Sequence, residues 1–110
     1  MPIKSYKDLI VWQKAIELVK EIYKICKQLP ADEKFILVPQ MIRAAISIAA
    51  NIAEGWARNH KVEFIRFLNI SFGSATELET HLIMPNLNIR ISIIPKPKVW
   101  WLRSKKCLAN

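Results

Sequence analysis

Glycine, cysteine and histidine each occur only twice in this chain of 110 residues. Gly55 and Gly73 alone cannot build a glycine-rich phosphate loop. Cys26 and Cys107 are far apart, with no CxxC pair and no histidine cluster nearby, which argues against a disulfide framework or a zinc site and for a reducing compartment. Cys26 falls in a helical pattern and reads as a small buried hydrophobe. A long uncharged apolar run is missing too: Gln40, Arg43, Asn51 and Glu54 interrupt the most hydrophobic stretch, 35–57, and 44–53 is too short to cross a bilayer. The first dozen residues mix Lys4, Lys7 and Asp8 with scattered apolar groups and do not form a signal peptide. The expected location is the cytoplasm, with no membrane partner.

Catalytic groupings are equally scarce. His60 and His81 have no partner at HxxxH or HExxH spacing, so no metal site is expected. Only one residue separates Arg58 from His60, too close for the Arg and His spacing of all-helical ribonucleases. Neither Glu17 with Glu21 nor Glu77 with Glu79 supplies the facing carboxylate pairs that hold magnesium in all-helical nucleotide pyrophosphatases. The expectation is no enzyme, no catalytic residue and no cofactor.

Acid is absent from one end. The net charge of +8 divides into 11 Lys/Arg against 9 Asp/Glu in 1–83, a net of +2, and six Lys/Arg with no acid in 84–110. A body so nearly balanced is a poor nonspecific nucleic-acid binder, because phosphate contacts need a concentrated basic face.

The positive signal is helical periodicity. Over about 8–28, Trp12, Ile16, Val19, Tyr23 and Cys26 form one seam and Val11, Ala15, Leu18, Ile22, Ile25 and Leu29 a second. Together they predict a wide apolar face that contacts two other helices. Lys14, Glu17, Glu21, Lys24 and Gln28 make the solvated stripe opposite. Pro30 ends this helix. A second helix is predicted over about 36–58, with Pro39 tolerable in its first turn, and a third over 61–83, with Phe64, Phe67, Leu68, Ser71, Ala75, Leu78 and Leu82 inward. Gly73 and Ser74 are expected to let a neighbouring helix approach closely.

On the second helix Arg43, Ser47, Asn51, Glu54 and Arg58 form one polar line among apolar side chains that include Ile46, Ile48, Ile52 and Trp56. A carboxylate and an amide there are costly to bury without partners. Arg43, Ser47, Asn51, Glu54 and Glu77 are therefore the candidate polar network. Glu54 or Glu77 is expected to pair with Arg43, and Asn51 to satisfy a group across the helices. Such a network fixes helix register; the alternative is a ligand or partner pocket at a subunit junction. Glu54→Ala is expected to lower the thermal midpoint or alter assembly. Arg58, Lys61 and Arg66, joined by Arg43 if exposed together, are candidate nucleic-acid contacts. So are Trp100, Trp101, Arg103, Lys105 and Lys106 in a basic tail where aromatics could stack on bases.

After Met84 the pattern changes: Pro85, Pro95 and Pro97 forbid a continuous helix, and 86–94 has no helical periodicity. The body 1–83 and the irregular tail 84–110 are thus separate units of the chain. Up to residue 83 the landmarks are Tyr6-Lys7-Asp8-Leu9, Val11-Trp12, Lys14-Ala15, Glu33, Leu37, Gln40, Arg43-Ala44-Ala45, Ser47-Ile48, Asn51-Ile52-Ala53-Glu54-Gly55, Phe64, Phe67-Leu68, Gly73-Ser74 and Glu77-Leu78-Glu79. In combination they resemble the bacterial four-helix-bundle family of 23S rRNA-intervening sequence proteins, known from reading frames inside intervening sequences of large-subunit ribosomal RNA genes.

That resemblance implies an all-α, up-and-down bundle whose fourth helix is here replaced by the irregular tail. A related protein, the accessory variability protein of diversity-generating retroelements, looks like a ring-forming pentamer that binds reverse transcriptase and nucleic acid. The resemblance therefore implies a non-catalytic homo-oligomeric scaffold, pentameric by that analogy, touching RNA, DNA or a nucleic-acid enzyme. The alternatives are a purely structural self-assembling bundle, a non-functional relic lacking helix four, and a ribosomal-RNA-processing or hydrolytic activity without a recognisable motif. Three readings of the tail stay open. It is an out-of-frame or truncated end, consistent with its Ile, Asn, Lys and Pro content; or a flexible basic arm; or a segment that packs over the gap left by the missing helix.

Overall fold

The computed structural model describes residues 3–83. The expectations for 84–110, with Trp100, Trp101, Arg103, Lys105 and Lys106 among them, lie outside the described residues. Within them the protein is all-α: α1 (Ile10–Lys27), a single turn α2 (Ala31–Lys34), α3 (Leu37–Ala57) and α4 (Lys61–Ile83).

The chain enters α1 through a 3-10 turn, Tyr6–Asp8. Ser5 Oγ accepts the Lys7 N–H at 3.0 Å, and Asp8 Oδ2 accepts those of Lys4 and Ser5 at 2.9 and 3.2 Å, so the donors that a helix start leaves unpaired are satisfied. Gln13 Nε2 donates to the Lys7 carbonyl and ties this turn to α1. At the other end of α1, the Gln28 and Leu29 N–H groups bond three residues back, to Ile25 and Cys26, before Pro30 turns the chain. Pro39 occupies the third position of α3, where a helix has no acceptor for an N–H, so it costs no hydrogen bond.

Between α3 and α4 the connection is very short. Arg58 and Asn59 donate to the Glu54 and Trp56 carbonyls, and Asn59 takes φ 53°, a left-handed conformation that asparagine tolerates better than most residues. The Phe64 N–H then bonds the His60 carbonyl and opens α4.

α3 is the central helix. It packs extensively against α4 and also against α1, and buried side chains of all three helices share one core. Ala44, Ala45 and Ala49 keep its core face narrow, and Ile22, Met41, Ile52 and Leu78 are completely buried around it. Burying each of these large side chains contributes roughly 1.5–3 kcal/mol.

Three expectations are corrected here. The wide face of α1 is covered unevenly among the described residues: Ala15, Leu18, Ile22 and Cys26 are buried, but Trp12, Ile16 and Val19 are only half-buried and Tyr23 is exposed. Ile46, counted among the greasy surroundings of the polar line, is 44% exposed because it points off the core arc of α3. The close approach of α3 and α4 occurs at Gly55, not Gly73. A methyl group at 55 would lie 2.6 Å from the Phe67 Cβ, whereas one at 73 would meet nothing within 4 Å.

Candidate functional site

The polar line of α3 meets α4 along a ladder of hydrogen bonds. Ser71, completely buried, donates its hydroxyl to the Ile48 carbonyl at 3.0 Å. One turn away, Ser47 Oγ and Ser74 Oγ are 2.9 Å apart. Asn51 Nδ2 donates to both the carbonyl and the hydroxyl of Ser47, at 2.8 and 3.0 Å. The ladder ends at Arg43, whose Nη2 donates to Glu77 Oε1. Serine and asparagine suit this position because they satisfy a neighbour's polar atoms without holding the helices apart. No buried side-chain nitrogen or oxygen among the described residues lacks a partner.

Glu77 has two side-chain partners, Arg43 and His81. His81, one turn along α4, places Nε2 at 3.4 Å from the Oε1 that Arg43 contacts. Hydrogen bonds from His81 first and Arg43 second hold the Glu77 carboxyl below the usual carboxylate range. The role of His81 was legible in its four-residue spacing from Glu77, which places the pair on one helix face.

Of the candidate network, Arg43, Ser47, Asn51 and Glu77 come together, and Asn51 acts through Ser47 rather than directly across to α4. Glu54 does not join them. It is 53% exposed and pairs at 3.1 Å with Arg58 on its own helix. Of the two carboxylates considered for Arg43, the partner is Glu77, and Glu54 stands outside the network.

The candidate nucleic-acid contacts on the body are largely engaged. Arg58 bonds Glu54, and Arg66 Nε bonds Glu63 at 2.9 Å. Both guanidinium groups also lie against the Phe67 ring, 5.2 and 4.6 Å from its centroid. Lys61 is exposed at the start of α4. Arg43 is fifteen residues from Arg58 along α3, a separation of about 22 Å. The four do not form one concentrated patch.

Chemically, the ladder is suited to holding two helices in register. The serine hydroxyls bond each other, an amide or a carbonyl, and none contacts a histidine that would activate it as a nucleophile. Cys26 is buried, and that burial pushes its thiol pKa up, away from the reactive thiolate. Among the described residues no three His, Cys, Asp or Glu side chains cluster to hold a metal ion, and no helix is long and apolar enough to cross a membrane.

Long antiparallel helices, short connections and a register-fixing polar seam define the class: an up-and-down helical bundle protein. The chain belongs to the 23S rRNA-intervening sequence protein family, whose sequence profile matches residues 7–95. The match continues past Ile83, where the resemblance was expected to stop, so the boundary at 83 is corrected and the family relationship reaches residue 95. No curated protein matches the chain.

Proposed function

We propose that this protein is a non-catalytic, self-associating helical scaffold that serves RNA, DNA or a nucleic-acid enzyme. The observation that carries the reading is the apolar surface that α1 and α3 leave incompletely covered. Ile42, Ile46, Ala50, Ala53 and Ala57 recur at steps of four, four, three and four on α3, exposed or half-buried, with no charge among them. Trp12, Ile16, Val19 and Tyr23 form a comparable seam on α1. Apolar seams of this length on a small protein are features of contact surfaces, and the alanines allow a second helix to approach closely.

Nucleic-acid association is the second half of this reading. The body carries +2, and Arg43, Arg58 and Arg66 are paired with glutamates, so phosphate contact falls chiefly to Lys61 and to the six Lys/Arg of 84–110. A reverse transcriptase partner rests on the family analogy alone.

Size-exclusion chromatography with light scattering on the full chain tests both halves. The expected result is a defined oligomer, its number compared with the pentamer of the analogy, that Ile46→Glu with Ala53→Glu converts to a monomer of unchanged helicity. A parent monomer at micromolar concentration overturns self-association. Repeating the run with a structured RNA at two salt concentrations is expected to show binding that weakens as salt rises. No binding at low salt removes nucleic acid and leaves self-assembly alone.

A further inference from the structure

The apolar stripe on the outer face of α3 begins before the helix does. Phe35 and Ile36, between α2 and α3, keep right-handed helical backbone angles, φ −69° and ψ −35° at Phe35 and φ −96° and ψ −49° at Ile36, so Phe35 stands in the register of α3. Counted from there, the stripe is Phe35, Pro39, Ile42, Ile46, Ala50, Ala53 and Ala57, at steps of four, three, four, four, three and four. It carries no charge and spans about 33 Å. Among the described residues it is open: Phe35 is 90% exposed and Ile46 44%, Pro39, Ala50 and Ala57 are exposed, and Ile42 and Ala53 are half-buried. Two properties set it apart from other apolar surface. The steps read the same from either end, with Ile46 at the centre, and the side chains are larger on the Phe35 side of that centre and all alanine on the other.

We infer that the occupant of this stripe is the same stripe of a second copy, lying antiparallel about a two-fold axis at Ile46. This geometry rests on the self-association proposed above and gives it a specific form. About that axis Phe35 faces the partner's Ala57, Pro39 the partner's Ala53, Ile42 the partner's Ala50, and Ile46 the partner's Ile46. Every layer off the axis then sets a larger side chain against an alanine, which keeps the helix separation even along the contact. Parallel pairing instead sets ring on ring at one end and alanine on alanine at the other, propping the helices apart and leaving a void. An unrelated helix has no need of a spacing that reads alike in both directions, whereas a two-fold contact requires it, since each surface is its own complement. On the flank, Arg43 and Arg58 each keep a carboxylate within their own chain, so no unpaired charge enters the contact. A two-fold contact closes at two copies, so a pentamer cannot be built from it alone.

Cysteine crosslinking in the full chain carrying Cys107→Ser tests the pairing; Cys26 is buried and stays in place. Under mild oxidation Ile46→Cys alone is expected to give a disulfide-linked dimer, because only a position on the axis meets itself. Phe35→Cys and Ala57→Cys are each expected to stay reduced alone and to give the mixed dimer when combined, identified by mass spectrometry. Phe35→Cys dimers that form as readily as mixed ones would mean parallel pairing and overturn the proposal. An oligomer in light scattering whose Ile46→Cys variant stays reduced would also overturn it while leaving self-association standing, whereas a monomeric parent removes both. Exchanging side-chain size is the second measurement. Ala57→Phe sets two rings against each other and is expected to weaken association by about tenfold. Phe35→Ala with Ala57→Phe is expected to restore it, because large and small have changed ends. Both positions are exposed, so neither change disturbs the core. Unchanged helicity without restoration in the double variant counts against the pairing.

Discussion

Adding one methyl group at each glycine should move stability in opposite directions. Both glycines are helical and neither has a positive φ, so backbone conformation is not the issue. An alanine at 73 meets open space and gains about 0.5–1 kcal/mol from the lower conformational entropy of the unfolded chain. An alanine at 55 has the same gain but places its Cβ 2.6 Å from the Cβ of Phe67. That carbon is fixed to the backbone of α4 and cannot rotate away. Ordinary contact between carbons is about 3.5–4.0 Å, so α3 and α4 must separate by about 1 Å, which also stretches the bond from Ser71 to the Ile48 carbonyl. Overpacking of this kind costs about 1–3 kcal/mol. The expected net effect of Gly55→Ala is a loss of about 1 kcal/mol, and the gap between the two variants is close to 2 kcal/mol. In thermal unfolding followed by circular dichroism, each kcal/mol is about 4–8 °C for a domain of this size. If Gly55→Ala stabilises the protein as much as Gly73→Ala does, the helices do not meet where described.

Other expectations concern the polar seam. Ser71→Ala removes a buried hydroxyl donor while the Ile48 carbonyl remains within its helix, and should cost about 1 kcal/mol in urea unfolding; no change would mean that the hydroxyl contributes nothing net. The Glu77 carboxyl is lowered in the folded state, so its contribution is present above the unfolded value and disappears as pH falls through the folded value. Stability should decline in acid below about pH 4, and Glu77→Gln should flatten that limb; an identical pH profile in the variant would remove Glu77 as its source. Glu54→Ala, which the sequence alone suggests is harmful, should change stability by less than about 0.5 kcal/mol, because the residue makes one exposed pair with Arg58. A large loss would place Glu54 back among the structural residues.

The sequence discloses the helices because apolar spacing is a property of each segment by itself. Leu18 and Ile22, or Leu78 and Leu82, mark a buried stripe whatever they pack against. It also discloses that Arg43, Ser47 and Asn51 share a flank of α3. What spacing cannot convey is the height at which α4 crosses that flank. Arg43 is level with Glu77, and Ser47 with Ser74, while α4 presents Phe67 near the Glu54 end of the line, where Arg58 is the available cation. A helical wheel records angle and not the position of the neighbour, and the correction at Glu54 arises from that difference. Gly73 is a matter of angle alone: it lies exposed on the side of α4 opposite the stripe of Ser71, Leu78 and Leu82, so no helix approaches it among the described residues.

The short turn at Asn59 has a kinetic consequence. α3 and α4 are joined by three residues and share the most extensive contact among the described residues, whereas α1 reaches α3 across the longer connection that includes α2. Closing the shorter loop costs less chain entropy and is rewarded sooner. The α3–α4 hairpin is therefore expected to form the folding nucleus, with α1 docking afterwards. On this hypothesis, Leu78→Ala slows refolding and Leu18→Ala mainly speeds unfolding, and a reversed pattern in stopped-flow kinetics would place the nucleus at α1 instead.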